Sequence, residues 1–297
     1  MSRVIDSILI PTDDSEGAIA GAKYGIALAS RTDADVHVLS VVEAGGETDD
    51  LDDGSLSTLE ENAQEATETV AKLTREFDEE LDVTTTVERG TPFQSIREYA
   101  HRRDIDVIAI GTKGRSGLER VLLGSVTENV LRTVRTPVLA VPPDADVAAI
   151  DDVAFDDVLL PTDGSDGAAI AAEWGIALAT LLDSMVHSVY SVDTNAFGGA
   201  QDPSELLDAL ERRGEAALET VRERARSADV SVSGSIANGA PATVITEYAT
   251  DNDVDLIVMG THGRTGIGQW FLGSVTENVV RQTEVPVLCV PVSAASP

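Results

Sequence analysis

Apolar and polar residues change rhythm several times along the chain, and each change marks an element. Val4 to Ile10 is a β-rich run ended by Pro11, and Ser15 to Ser30 carries Ala18, Ile19, Ala22, Ile26 and Ala29 at helical spacing. Val36 to Val42 predicts a second strand. After an acidic loop, Glu43 to Gly54, the residues Leu56, Leu59, Ala63, Ala66, Val70, Leu73 and Phe77 recur at steps of three and four, the stripe of a long helix packed on a sheet. Val83 to Glu88 predicts a third strand, and Pro92 stands where a helix begins without losing a needed N–H. Asp106 to Ile110 and Pro137 to Val141 read as the fourth and fifth strands.

The whole pattern then runs again. Pro11-Thr-Asp13 returns as Pro161-Thr-Asp163, and Ala22-Lys-Tyr-Gly-Ile-Ala-Leu-Ala29 as Ala172-Glu-Trp-Gly-Ile-Ala-Leu-Ala179, each 150 residues on. Two tandem domains are expected, residues 1–142 and 155–297, joined by a linker at 143–154 where prolines and acids replace the apolar rhythm. Strands alternating with helices predict an α/β fold in which each domain is a doubly wound, five-stranded parallel sheet covered on both faces. The pattern does not fix strand order. An order of 3-2-1-4-5 would bring the loops after strands one and four to one switch point, where ligands bind in such sheets.

Those two loops carry the unusual residues. Gly111-Thr-Lys-Gly114 is followed after nine residues by Gly124-Ser125, and Gly260-Thr-His-Gly263 after nine residues by Gly273-Ser274. Each set follows a strand and opens the same helix sequence, Ser-Val-Thr-Glu-Asn-Val, which is phosphate-binding anatomy. Ser125-Val-Thr-Glu128 and Ser274-Val-Thr-Glu277 also fit a capping box, in which serine and glutamate satisfy free helix N–H groups. Asp13 and Asp163 read either as turn residues or as acceptors for ribose hydroxyls. Thr12 and Thr162 would offer backbone and hydroxyl contacts to a base, and Val41 an apolar wall, where the second repeat has Ser191. His37 and His187 share a strand position, which suits packed core better than a metal ligand, and no Cys/His cluster suggests zinc.

Fifty-two acids against 21 bases give a net charge of -31, and Lys23, Lys72 and Lys113 are the only lysines. Such a surface repels nucleic acid and anionic membrane, so neither is expected as a partner. Acid excess with few lysines resembles proteins of a salt-rich, halophilic cytoplasm, where counterions shorten self-repulsion. A triphosphate would need compensation here from arginine or a divalent cation, making Arg115 and Arg264 candidates for phosphate contact; Lys113 and Arg120 are local bases, with Gln269 opposite Arg120. The lone Cys289 sits in the apolar run Val287-Leu-Cys-Val290, so a reducing cytoplasmic location is the simplest expectation. No signal peptide is read in Met1 to Asp6, and Ala168 to Leu182 is too short to span a membrane.

The spaced glycine pattern, the Pro-Thr-Asp after strand one and the closing segment Thr136-Pro-Val-Leu-Ala-Val-Pro142 together resemble the nucleotide-binding branch of the universal stress protein family, over essentially the whole chain and twice. The resemblance implies a 3-2-1-4-5 sheet, ATP or another adenine nucleotide (ADP, AMP) at the switch point with room for Mg2+, and pairing of two domains through their last strands, with further self-association open. It carries phosphate binding to Gly111, Gly114, Gly124, Ser125, Val126 and Thr127 and to Gly260, Gly263, Gly273, Ser274, Val275 and Thr276. Pro11, Pro161 and Met259 complete the nucleotide-binding set. Three function classes follow: a regulatory protein that holds nucleotide, one per repeat; a slow ATPase at the same sites; and a nucleotide-free interaction module. Intact motifs in both repeats weigh against the third, and no residue of the motif stands out as a catalytic base, which weighs against the second.

Overall fold

The computed structural model describes residues 4–43, 53–113, 123–145, 147–193, 203–263 and 272–297. The chain divides into two compact units, Met1–Val153 and Ala154–Pro297. In the first, β1 (Ser7–Pro11), α1 (Glu16–Thr32), β2 (Asp35–Glu43), α2 (Asp53–Phe77), β3 (Val83–Gly90), α3 (Pro92–Arg102), β4 (Val107–Gly111), α4 (Ser125–Thr133) and β5 (Val138–Val141) follow one another. Its strands run parallel in the order β3-β2-β1-β4-β5. The second repeats the plan with β6 (Asp157–Pro161), α5 (Asp166–Leu182), β7 (Met185–Val192), α6 (Pro203–Ser227), β8 (Val232–Asn238), α7 (Pro241–Asp251), β9 (Leu256–Gly260), α8 (Ser274–Gln282) and β10 (Val287–Val290). Its order, β8-β7-β6-β9-β10, is the same 3-2-1-4-5 arrangement.

Central strands of a parallel sheet are covered on both faces, so they read as unbroken apolar runs. Every residue of β1 and of β4 is buried. Helix α1 packs with α2, and α3 packs with α4, so the crossovers leaving β1 and β4 lead to opposite faces and a cleft opens between them. The far ends of the same strands are fastened by a carboxylate: Asp106 Oδ2 accepts from the N–H groups of Asp6 and Ser7 at 2.9 and 3.0 Å, and Asp255 Oδ2 from those of Asp156 and Asp157 at 2.8 and 3.0 Å. Burial raises the Asp255 carboxyl above its usual range, against the lowering effect of those two N–H groups.

Both long first helices are capped alike. Ser15 Oγ accepts from the N–H of Ala18 and Ser165 Oγ from that of Ala168, while Asp33 and Asp183 end α1 and α5 in the left-handed conformation. Among the described residues every non-glycine at positive φ is an aspartate: Asp14, Asp33, Asp104, Asp183, Asp229 and Asp253. A short polar side chain tolerates that region better than an apolar one.

The segment expected as a plain linker is more ordered than its acids and prolines suggest. It forms two short 3-10 turns, Pro143–Ala145 and Ile150–Asp152, and buries Ile150 and Val153. Helix α1 holds it, with Lys23 Nζ donating to the carbonyl of Val147 and Arg31 Nη2 to that of Val153 at 2.6 Å. No helix among the described residues is long and apolar enough to cross a membrane.

Candidate functional site

A cavity of about 550 Å³ opens at the C-terminal ends of β1 and β4 in the first unit. Pro11, Thr12 and Asp13 enter it from β1, Ser40, Val41 and Val42 from β2, Leu59, Asn62, Ala63 and Ala66 from α2, and Gly111, Lys113, Gly124, Ser125, Val126 and Thr127 from β4 and the start of α4. The sequence-predicted residues of the first repeat that are described therefore meet in one place. Gly114, Arg115 and Arg264, with Arg120 and Gln269, lie outside the described residues.

The capping-box expectation is corrected at both helices. Gly124 and Gly273 hold the extended N-cap geometry, with no side-chain cap, so Ser125 and Ser274 are the first helical residues. Glu128 and Glu277 pair with Arg132 and Arg281, one turn on, at 2.7 and 2.8 Å. A glycine N-cap has no oxygen to offer the first-turn N–H groups of Ser125, Val126 and Thr127, which have no intrahelical acceptor. The positive end of the helix dipole adds to that demand for an anion. The Thr127 hydroxyl is committed elsewhere: buried, it donates to the carbonyl of Gly111 at 2.7 Å, as Thr276 does to Gly260 at 2.8 Å.

The threonines after β1 and β6 are also less available than expected. Thr12 N–H continues the sheet by donating to Leu39 O at 2.8 Å, and its hydroxyl accepts from Asp14 N–H; Thr162 repeats both bonds with Val189 and Gly164. Neither backbone N–H is left for a base. Asp13 fulfils the turn reading, since Oδ1 accepts from the N–H and hydroxyl of Ser15 at 3.1 and 2.5 Å, and it still lines the cavity. Asp163 Oδ1 takes the Ser165 N–H at 2.9 Å, while its Oδ2 lies 2.8 Å from where a Cβ on Gly263 would stand. Of the other second-repeat candidates, Pro161 ends β6, Met259 is buried in β9 and Val275 lies in the first turn of α8.

The sequence reading missed how the glycine loops are seated. A Cβ on Gly17, in the first turn of α1, would lie 1.9 Å from the carbonyl oxygen of Lys113, and one on Gly111 would lie 2.0 Å from that of Gly17. A Cβ on Gly167 would likewise lie 2.1 Å from the carbonyl oxygen of His262. Helix backbone thus packs directly on loop backbone, and this carries Lys113 to the cavity. The signal was present in Ser15-Glu-Gly-Ala18 and its copy Ser165-Asp-Gly-Ala168.

The strand histidines lie away from the cavity, as core polar pairs. His37 Nδ1 meets the Tyr99 hydroxyl at 3.0 Å and His187 Nδ1 that of Tyr248 at 3.1 Å; His187 Nε2 also pairs with Asp157 at 2.9 Å. Partial burial lowers the His37 pKa, helped by the nearby Arg103 and opposed by Asp35. Among the described residues no cluster of three or more His, Cys, Asp or Glu could hold a metal.

A sequence profile of the universal stress protein family matches residues 5–142 and again residues 154–291. The chain belongs to the universal stress protein family. A universal stress protein of Methanocaldococcus jannaschii is 39% identical over 136 residues, spanning 45% of this chain and 80% of the relative. One of Mycolicibacterium smegmatis is 27% identical over 297 residues, covering 95% of this chain and 96% of its own length. The crystal structure of a universal stress protein from Archaeoglobus fulgidus has the same fold, with a TM-score of 0.74 at 23% identity and 96% of each chain covered. In this universal stress protein β4 and β9 end at Gly111 and Gly260, and their sheet neighbours β1 and β6 end at the prolines of the Pro-Thr-Asp segments.

Proposed function

We propose that this chain is a regulatory binding protein for an adenine nucleotide, held at the switch-point cavity of its first repeat. The observation that carries the reading is the meeting of an apolar slot and an anion-seeking helix end in one cavity. Leu59, Ala63, Ile96 and Val41 supply apolar lining to the cavity, and Lys113 and the glycine-capped start of α4 line it too. A base stacks against the first; phosphates accept from first-turn N–H groups at the second. Asp13, in the same lining, has the carboxylate chemistry to receive ribose hydroxyls. Gly114, Gly124 and Arg115 would close on the phosphates, and Mg2+ would offset charge that a chain of net charge -31 otherwise repels.

Binding is favoured over turnover because Asp13, an acid of the cavity lining, is engaged by Ser15 in its turn and is no free general base. A nucleotide that is held and not consumed is a signal, read out by a protein partner or by self-association, and cytoplasmic, salt-rich conditions suit so acidic a surface. Internal pairing of the two repeats belongs to the same proposal: β5 and β10 are short apolar strands at the ends of their units' sheets, and each would satisfy the other's open edge.

Calorimetry of the purified chain in high salt tests the reading. ATP, ADP or AMP should bind, whereas adenosine and inorganic triphosphate alone should bind far more weakly because each fills one end only. Absence of binding by every adenine nucleotide would overturn the reading in favour of an interaction module, and steady phosphate release would favour the slow ATPase.

A further inference from the structure

The two repeats differ at the wall of the slot. Strand β7 follows β2 at a displacement of 150 residues, His187 standing for His37, so Tyr190 takes the position of Ser40. Helix α6 follows α2 at 151: the buried positions Ala63, Ala66, Thr67, Val70 and Thr74 recur as Gly214, Ala217, Leu218, Val221 and Ala225. Leu59 therefore corresponds to Leu210, Ala63 to Gly214 and Ala66 to Ala217.

In the first repeat Ser40, Val42, Leu59, Ala63 and Ala66 line the open cavity. In the second, their counterparts close on a ring. Tyr190 is 3% exposed and packs in one cluster with Val192, Ala217 and Leu210. Its Cδ1 lies 2.7 Å from where a Cβ on Gly214 would stand, so the glycine is what lets the ring lie flat against α6. Ser191, at the position of Val41, is turned to the neighbouring strand's end, donating to Gly239 O at 2.7 Å.

We propose that Tyr190 fills the nucleoside slot of the second repeat, so that each chain takes one adenine nucleotide, in its first repeat, although both repeats carry the phosphate motif. The proposal rests on the nucleotide reading above and replaces the sequence expectation of one nucleotide per repeat. Tyr190 is then a specificity-determining residue, and the pairs Ser40–Ala63 and Tyr190–Gly214 are the open and closed settings of one position. A ring buried in an apolar cluster is stabilised by its burial, and a base could enter only by displacing it.

Titration of the full chain with ATP in high salt should give a stoichiometry of one. Tyr190→Ser with Gly214→Ala, which copies the first repeat's pair, should raise it to two; Ser40→Tyr with Ala63→Gly, the reverse exchange, should lower it to zero. Should either double variant fail to fold, hydrogen exchange on the unaltered chain decides the matter. ATP should slow exchange at the end of β1 and start of α4 and leave the end of β6 and start of α8 unchanged. A stoichiometry of two, or protection in both repeats, overturns this inference and leaves the nucleotide reading intact. No binding at all overturns that reading and this inference with it.

Discussion

The hydroxyl of Thr127 donates to the carbonyl oxygen of Gly111 across 2.7 Å, tying the first turn of α4 to the last residue of β4. The tie sets the angle at which the helix start faces the cavity. Thr127→Val keeps the shape and removes the donor, leaving a buried carbonyl unpaired at a cost of about 1–3 kcal/mol. Urea denaturation should show that loss, ATP affinity should fall with it, and Thr127→Ser should restore both. Thr276→Val should cost similar stability in the second repeat with ATP binding unchanged; equal loss of ATP binding from both valine variants would place nucleotide in both repeats.

Gly17→Ala should act on the loop after β4 from the opposite side. With the added methyl 1.9 Å from the carbonyl oxygen of Lys113, something must shift, and both parties are backbone. The crowding should cost about 1–3 kcal/mol, and ATP affinity should drop at least about tenfold (~1.4 kcal/mol). Gly164→Asp provides the contrast, because Asp14 already occupies the equivalent turn at φ 63, close to the φ of 75 at Gly164. It should leave both stability and ATP binding nearly unchanged.

Burial pushes the Cys289 thiol up to about 12. In the unfolded chain a thiol ionises near ~8.5, so above that pH the unfolded state sheds a proton that the folded state keeps. Stability should therefore be level on this account below pH ~8.5 and then fall by about 1.4 kcal/mol per pH unit as pH rises toward the folded value. Chemical denaturation at a series of alkaline pH values, compared with Cys289→Ala, should isolate that slope. Alkylation of the native chain at pH 9 should proceed only as fast as it unfolds.

Pairing of the repeats through β5 and β10 predicts protection without any substitution. The outward amides of a free sheet edge exchange with solvent freely, whereas those of a paired strand exchange only on larger-scale opening. Slow exchange throughout Val138–Val141 and Val287–Val290 is the expected result. Rapid exchange in either strand would leave the sheets unpaired.

The fold was legible because its signals are local and repeated. Unbroken apolar runs marked the central strands, three-and-four spacing marked α2, and the recurrence of Pro11-Thr-Asp13 marked the duplication. Strand order was legible only as a condition for bringing two loops together. The described first-repeat positions singled out in the sequence line one cavity, but their local chemistry differs from what the sequence suggested. Ser125-Val-Thr-Glu128 matched a capping box, but a four-letter pattern does not say where helical backbone begins, and Gly124 had already taken the cap. Thr12 was expected to offer its backbone to a base, whereas the sheet continues one bond further and takes its N–H to Leu39.

Tyr190 shows a different failure. Val41 lines the cavity, and its counterpart Ser191 is the substitution that stands out in the sequence. On the proposal above, the residue that decides the slot is the preceding one, Ser40 in one repeat, which lines the cavity, and Tyr190 in the other, which is buried in an apolar cluster. Its partner Gly214 lies on a helix with a register one residue different, so no single sequence displacement aligns both.

The six left-handed aspartates change what the acid surplus means. At those corners the carboxylate is a conformational letter before it is a charge, and the alphabet there is short: glycine, asparagine, aspartate. A scan replacing acids by lysine or alanine to measure salt dependence would, at Asp14, Asp33, Asp104, Asp183, Asp229 and Asp253, report bent backbone instead. Exchange for asparagine or glycine would remove the charge and keep the corner.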